Sequence, residues 1–176
     1  MALLEVRDLK VGFHTPEGEV EAVTGVSFDL NPGQKLGVVG ESGSGKTQSA
    51  LAMLGLLAEN GRASGSVKFR GQELLGLSTH ELSRIRGSSI SMIFQDPMSS
   101  LNPYVSIGDQ LIEVLTHHRN LKRREARMRA EEMLNQVRIN HPVQRMRQFP
   151  HELSGGMCQR VMIAMGLLCQ PDILIA

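Results

Sequence analysis

The residues best suited to chemistry form a glycine-rich octet in the first third of the chain. The octet fits the pattern G-x-x-x-x-G-K-[ST] and reads Gly40-Glu41-Ser42-Gly43-Ser44-Gly45-Lys46-Thr47. Glycines let the backbone bend tightly, so that successive N–H groups can point at one anion. The ammonium of Lys46 should reach the β- and γ-phosphates of a nucleotide, and the hydroxyl of Thr47 should bind Mg²⁺. The alternative is a glycine turn that opens a helix and binds nothing.

A second segment with related chemistry lies near the C-terminus, and it reads Leu153-Ser154-Gly155-Gly156-Met157. Ser154 is a good N-cap, and the two glycines expose backbone N–H groups to an approaching anion. Taken alone, such a segment is most often an ordinary capped helix.

The elements around these segments alternate between strands and helices. Apolar patterning predicts strands at 3–13, 20–30, 35–39, 66–70, 90–94 and 173–176, with a turn at 15–18. The 35–39 run should be a buried strand that leads into the octet, and a helix with Ala50, Leu51, Leu54 and Leu57 should follow it. Capping-box spacing from Ser78 predicts another helix toward Arg86.

Amphipathic stripes predict three further helices between residues 100 and 168. Their apolar positions are Ile107, Leu111, Val114 and Leu115; then Ala126, Ala130, Met133, Leu134 and Val137; then Met157, Val161, Ala164, Met165 and Leu168. The predicted fold class is therefore α/β, a nucleotide-binding core with a helical insertion.

Composition excludes several classes of protein. The net charge is +1, so charge alone does not favour nucleic acid or an anionic membrane as a partner. The longest apolar run, 161–169, is about half of the roughly 18 residues that a membrane-spanning helix needs. Charges near the N-terminus argue against a signal peptide, so we expect a cytoplasmic protein. Cys158 and Cys169 are too few for a disulfide framework or a zinc cluster.

A basic run occupies the middle of the chain and is interrupted by Glu125, Glu131 and Glu132. Its members are Arg119, Lys122, Arg123, Arg124, Arg127 and Arg129. The apolar stripe of the same segment favours a solvated helix face over a nucleic-acid patch.

Taken together, the two glycine segments give the chain a specific resemblance. It resembles the ATP-binding subunits of ABC transporters, above all those of the oligopeptide and dipeptide importers. The resemblance covers essentially the whole chain and is carried by GESGSGKT at 40–47, MIFQDPMSSLNP at 92–103 and PHELSGGMCQRVMIAM at 150–165. These hold the Walker A loop, the Q-loop glutamine Gln95 and the signature sequence 153–157. Met157 suits the importer branch, whereas Cys158 stands where a polar or basic residue is commoner.

The resemblance implies a P-loop NTPase fold of the ABC type with an N-terminal antiparallel β region. It implies ATP and Mg²⁺ as cofactors, with Thr47 and Gln95 near the metal. Two domains would pack head to tail, so that Ser154, Gly155 and Gly156 contact the γ-phosphate of ATP held by the other subunit. Gln95 would sense Mg²⁺ and the attacking water. Phe13 would stack on adenine, and this role is favoured over the alternative of a plain core phenylalanine.

The resemblance also implies an ATPase that powers peptide import from the inner face of the cell membrane. Its partners would be a second ATPase subunit, identical or different, transmembrane permease subunits and, indirectly, a substrate-binding protein, with no role for nucleic acid. The implied divisions are a β subdomain and P-loop core at 1–100, a helical subdomain at 101–168 and the start of the Walker B strand at 171–176.

Four alternatives and expectations qualify this interpretation. In the family, an Asp, a Glu and a His that support hydrolysis lie beyond the position of Ala176, so this chain is expected to be truncated, deficient in hydrolysis and weakly stable. The alternative is therefore a fragment that binds nucleotide without hydrolysing it.

An ABC-type ATPase of DNA repair would need long coiled coils between Thr47 and Ser154. A GTPase or small-molecule kinase would leave 153–157 unexplained.

Overall fold

An antiparallel sheet of four strands forms most of the N-terminal half of the protein. The computed structural model describes residues 2–176, apart from the side chain of Met98, and divides into two compact units, Met1–Ser83 and Arg84–Ala176. In the first unit the sheet has the order β2-β1-β3-β4. Its strands are β1 Leu4–Thr15, β2 Gly18–Leu30, β3 Gly61–Phe69 and β4 Gln72–Glu73. The turn predicted between the first two strands is confirmed.

Strand β1 carries the apolar core of this unit across a bulge. Leu4, Val6, Leu9 and Val11 are all buried, although the spacing between Val6 and Leu9 breaks the two-residue alternation. Asp8 has a φ of 44°, and the pairing register shifts at this point. The bulge takes up the extra residue and returns Leu9 and Val11 to the buried face.

Two helices accompany the sheet. Helix α1, Lys46–Met53, follows the glycine-rich octet and packs against β1, β2 and β3. Helix α2, Thr79–Ile85, starts at the predicted capping box, in which Glu81 accepts from the backbone N–H of Ser78 at 2.9 Å and from its hydroxyl at 2.6 Å. Helix α1 is shorter than predicted, because Leu54 is its C-cap and Leu57 lies beyond it.

The second unit combines a short parallel strand pair with helices. Strand β5, Ile90–Met92, pairs with β6, Ile173–Ile175. Two short helices, α3 Pro97–Ser100 and α6 Pro142–Arg145, and a 3-10 turn at Pro150–Glu152 join the longer elements. The longer helices are α4 Ile107–Arg119, α5 Arg123–Gln136 and α7 Gly155–Leu167.

The predicted stripes of these three helices form one core. On α4 and α5, residues four apart are buried, and small alanines on α5 let the helices approach closely. The stripe positions in this core are Ile107, Leu111, Leu115, Ala126, Ala130, Leu134, Val161, Ala164 and Leu168. Both cysteines are buried and free. Their burial agrees with the preference of free thiols for protein interiors.

The predicted buried strand at 35–39 is wrong. These residues form no strand, and Val38 and Val39 expose 62% and 93% of their surface. An apolar run becomes a strand only when a neighbour pairs with its N–H and C=O groups. Within residues 2–176, no segment pairs with 35–39. The strand predicted at 90–94 ends at Met92, and the one predicted at 66–70 begins earlier, at Gly61, because β3 also pairs with the far end of β1.

No helix in the described range is both long enough and apolar enough to cross a membrane.

Candidate nucleotide-binding site

The glycine-rich loop is shaped by backbone conformations that favour glycine. Gly43 and Gly45 have φ angles of 83° and 86°. A Cβ atom at Gly45 would lie 2.4 Å from the carbonyl oxygen of Ala22 and 2.8 Å from Cγ2 of Val23. Strand β2 therefore presses directly on the last glycine of the loop, and only glycine fits where helix α1 begins.

Helix α1 presents an open N-terminus to this loop. Its N-cap is Gly45, and no side chain makes a capping hydrogen bond there. The first N–H groups of a helix have no intrahelical acceptor, and the helix dipole adds a partial positive charge at the same end. This end of α1 can therefore accept an anion without displacing a capping side chain.

Lys46 lies folded over the loop. Its Nζ donates to the carbonyl oxygen of Gly40 at 2.8 Å, to that of Glu41 at 2.6 Å and to Oγ of Ser44 at 3.3 Å. The ammonium can donate three hydrogen bonds, and three loop oxygens lie within hydrogen-bond distance of it. Phosphate oxygens entering the loop would offer charged acceptors in place of these neutral ones, and charge-assisted hydrogen bonds are the stronger kind.

The remaining predicted residues of the first unit are accessible to different degrees. Thr47 is exposed at the start of α1. Phe13 is half-buried on β1, where it pairs with Val20 on one side and Gly61 on the other. Its ring covers Gly61, since a Cβ atom there would lie 2.8 Å from ring atom Cε1. The ring is thus held in place but keeps an accessible part.

The predicted residues of the second unit are also exposed. Gln95 follows β5 in a loop, because the strand ends three residues before it. Ser154 is the N-cap of α7, and its Oγ accepts from the N–H of Met157 at 3.4 Å. Ser154, Gly155 and Gly156 face solvent, whereas Leu153 is buried and Met157 is half-buried. The predicted capped helix start is therefore present, and its residues 154–156 are exposed to solvent.

Cys158 has an internal role in this segment. Its thiol donates to the carbonyl oxygen of Pro150 at 3.4 Å, and burial raises the pKa of this thiol. It thereby ties α7 to the 3-10 turn before it. A polar side chain at this position would have to be accommodated inside the core.

The described residues hold no group of three or more His, Cys, Asp or Glu side chains that could bind a metal by themselves. Mg²⁺ that arrives with a nucleotide is different, because it keeps several waters and takes phosphate oxygens as ligands. An exposed hydroxyl beside a phosphate-binding loop, as Thr47 provides, suits such an ion.

A glycine-shaped loop that opens a helix, backed by a lysine on a mixed α/β scaffold, defines a P-loop nucleotide-binding protein. The family model for ABC transporters matches residues 23–176, and the chain belongs to this family. The resemblance found in the sequence and the ABC-type fold are thereby confirmed.

The curated relatives include peptide-transport proteins. The chain is 56% identical to the oligopeptide transport ATP-binding protein OppD of Escherichia coli over 99% of its own length and 52% of the relative. It is 47% identical to the dipeptide transport ATP-binding protein DppD of Bacillus subtilis over 99% of its length and 52% of that relative. The chain therefore spans about half the length of the curated relatives it matches.

Solved structures of the same fold are also similar. One is described as a dimeric post-hydrolysis state of the ATP-binding cassette MJ0796 bound to ADP and Pi. It has a TM-score of 0.86 and 25% identity, and it covers 97% of this chain and 72% of that chain. Another is CbiO1 of Clostridium perfringens, part of the transporter complex CbiONQ, with a TM-score of 0.72 and 25% identity over 98% of this chain and 64% of that chain. Cassettes of this family thus bind nucleotide, form dimers and work within transporter complexes.

Proposed function

We propose that this chain binds ATP with Mg²⁺ at the 40–47 loop, as part of the ATP-hydrolysing subunit of a peptide importer. The observation that carries the proposal is the arrangement of Lys46, whose ammonium lies over the loop between carbonyl oxygens that a polyphosphate can replace. Gly40 to Gly45 would supply N–H groups, Thr47 and Gln95 would face Mg²⁺, and Phe13 would stack on adenine. The names of the relatives support peptides as the imported solute.

The second part of the proposal concerns residues 153–157. A Cβ atom at Gly155 or Gly156 would have no heavy atom within 4 Å, so packing inside this chain does not require glycine at either position. Glycine there leaves room for a ligand to reach the start of α7. We propose that this ligand is the γ-phosphate of ATP held by a second, head-to-tail ATPase subunit.

The remaining parts follow from the same family. Transmembrane permease subunits would be the membrane partners, with a substrate-binding protein acting through them, and the chain would work on the cytoplasmic face of the membrane. Residues 1–100 would form the β subdomain and P-loop core, residues 101–168 would form the helical subdomain, and 171–176 would begin the Walker B strand.

Calorimetric titration of the chain with ATP and Mg²⁺ tests the nucleotide site. Lys46→Ala should weaken binding by at least about tenfold, because a hydrogen bond to a charged group contributes about 1.5–3 kcal/mol. Lys35→Ala is the matched control, since Lys35 is an exposed lysine just before the loop. Equal affinities for wild type and Lys46→Ala would contradict the proposal.

The second candidate function is nucleotide binding without hydrolysis. The chain spans about half the length of each relative, so the activity of those whole proteins does not by itself extend to this chain. Release of phosphate from ATP by the purified chain separates the two functions. Turnover that disappears in Lys46→Ala would exclude the second, whereas tight binding with no turnover would support it.

A further inference from the structure

The second unit contains a groove with an unusual density of arginine side chains. It has a volume of about 670 Å³ and lies between the start of α4, the first turns of α5 and the segment after α6. The described residues that line it include a single carboxylate and no aromatic side chain, and its apolar members Ile112 and Met146 are buried. Recognition of a ligand here therefore has to come from charge. This arginine groove is lined by Arg123, Arg124, Arg127 and Arg147.

Close backbone contacts fix the shape of the arginine groove. The N–H of Ile107 donates to the carbonyl oxygen of Gln148, and that of Gly108 donates to the carbonyl oxygen of Met146, both at 2.8 Å. A Cβ atom at Gly108 would lie 2.7 Å from that same oxygen of Met146 and 2.9 Å from its Cβ. Glycine thus lets the start of α4 approach the 146–148 segment. Arg147 is thereby held in the lining of the groove by backbone hydrogen bonds on both sides of it.

The one carboxylate of the groove, that of Asp109, is already satisfied. It accepts a hydrogen bond from the hydroxyl of Ser106 at 2.8 Å and pairs with Arg123. These two interactions, the hydrogen bond first, lower the pKa of Asp109, so this carboxyl is ionised at neutral pH. Its single negative charge is thus committed to one of the four arginines.

The other three arginines carry charge that the groove does not neutralise. Arg127 pairs with Glu131 at 3.0 Å, one turn along the same exposed helix face, and exposed pairs of this kind contribute little and exchange easily. Within residues 2–176, neither Arg124 nor Arg147 has a carboxylate within ion-pair distance. The groove therefore keeps two guanidinium groups available for an external anion.

The position of these arginines does not favour the stability of α5. Arg123 and Arg124 are the first two residues of the helix, and Arg127 follows one turn later. The N-terminus of a helix carries partial positive charge, which favours anions and repels cations. The N-cap Lys122 makes no capping hydrogen bond with its side chain, and Glu125 is the one acidic residue of the first turn. An anion bound between the arginines would offset this repulsion.

We propose that the arginine groove binds a small anion that carries phosphate groups. Arg124 and Arg147 would donate paired hydrogen bonds to phosphate oxygens, because the planar guanidinium matches their geometry, and Arg127 would exchange Glu131 for the ligand. Bases of single-stranded nucleic acid bind by stacking on aromatic side chains, which the described lining does not offer. The phosphate belongs either to a soluble ester or to the headgroup of an anionic lipid. This proposal does not depend on nucleotide binding at the 40–47 loop.

Calorimetric titration with inorganic pyrophosphate, without Mg²⁺, tests the proposal. The titration uses Lys46→Ala as the parent chain, so that the 40–47 loop contributes little to binding. Adding Arg124→Gln and Arg147→Gln to this parent should weaken binding by at least about tenfold, from the loss of charge-assisted hydrogen bonds. Arg129→Gln is the matched control, since Arg129 is an exposed arginine of α5 that does not line the groove, and it should change the affinity less than about twofold.

Thermal melting separates a binding role of the arginines from a structural one. Without any anion, Arg124→Gln should melt no lower than its parent, because it removes a positive charge from the first turn of α5. Pyrophosphate should raise the melting temperature of the parent and leave that of the double variant nearly unchanged. A lower melting temperature of anion-free Arg124→Gln would show that this arginine serves the fold and would overturn the proposal.

Vesicles of phosphatidylcholine that contain phosphatidylglycerol distinguish the two sources of phosphate. Co-sedimentation of the chain with these vesicles, lost in the double variant and competed by pyrophosphate, would assign the site to a lipid headgroup. Pyrophosphate binding without co-sedimentation would assign it to a soluble ester. Equal pyrophosphate affinities of the double variant and its parent, an equal loss in Arg129→Gln, or tighter binding of single-stranded RNA through the same arginines would each overturn the proposal.

Discussion

At the scale of single residues, two glycines of the 40–47 loop share a backbone conformation but differ in their surroundings. Gly43 and Gly45 have φ angles within a few degrees of each other. A Cβ atom at Gly43 would meet no heavy atom within 4 Å, whereas one at Gly45 would meet the backbone of β2 at 2.4 Å. Conformational strain and steric clash can therefore be separated within one loop.

Alanine at each position should reveal this difference. Gly43→Ala should lower the free energy of unfolding by about 1–2 kcal/mol, which is the cost of left-handed backbone for a residue with Cβ. Gly45→Ala should cost more and also weaken ATP binding, because α1 must move away from β2. Urea unfolding and ATP titration of both variants measure the two effects. Equal losses of stability would show that the contact with Ala22 is unimportant.

At the scale of elements, one carboxylate closes the hairpin of β3 and β4. Glu73 accepts from the hydroxyl of Ser66 at 2.5 Å, from the N–H of Val67 at 2.8 Å and from that of Leu75 at 3.1 Å. Burial alone would raise the pKa of Glu73, but these hydrogen bonds outweigh it, and the pKa lies below its ordinary value of 4.5. The ionised form therefore stabilises the hairpin.

The sign of the pH dependence follows from that shift. Because the folded state has the lower pKa, the contribution of Glu73 is present above about pH 4.5 and is lost as the pH falls through the folded value. Glu73→Gln should lower the free energy of unfolding by about 1–3 kcal/mol at neutral pH, and the difference from wild type should shrink in acid. Glu21→Gln, on an exposed carboxylate of β2, is the control. A difference that persists at low pH would contradict this role for the charge.

Elements with local signals could be predicted from the sequence, and those that depend on distant partners could not. The 15–18 turn, the Ser78 capping box and the helical stripes around Leu111, Ala130 and Val161 each follow from residues a few positions apart. The 35–39 segment shows the opposite case, since its apolar character predicts burial but its pairing depends on another strand. Gln110 was missed for a similar reason, because its hydrogen bonds to the 102–105 loop are a tertiary feature.

At the scale of the whole molecule, accessible apolar side chains bear on stability. Leu36, Val38 and Val39 in the first unit and Leu174 in the second are all exposed. Exposed apolar surface contributes no burial energy and promotes association. We therefore still expect the isolated chain to be weakly stable. A cooperative thermal transition above about 65 °C, the upper end of the usual range for mesophilic domains, would contradict this prediction.

The candidate site also predicts that two ATPase subunits associate when ATP is bound. If 153–157 binds the γ-phosphate of ATP on a second subunit, a negative charge at Gly156 should repel that phosphate. The new carboxylate would also lie in the first turn of α7, where a negative charge stabilises a helix through its dipole. The open space around Gly156 accommodates the new side chain. Gly156→Asp should thus keep the fold and the ATP affinity of the single chain while preventing association.

Sedimentation velocity with ATP and Mg²⁺ measures this effect. Wild type should shift toward a dimer as ATP is added, and Gly156→Asp should remain monomeric at the same concentrations. Gln159→Glu serves as the control, because this exposed residue lies one turn further along α7 and receives the same added charge. An ATP-dependent dimer that forms equally well in Gly156→Asp would exclude the γ-phosphate contact, since like charges at hydrogen-bond distance repel strongly wherever water is excluded.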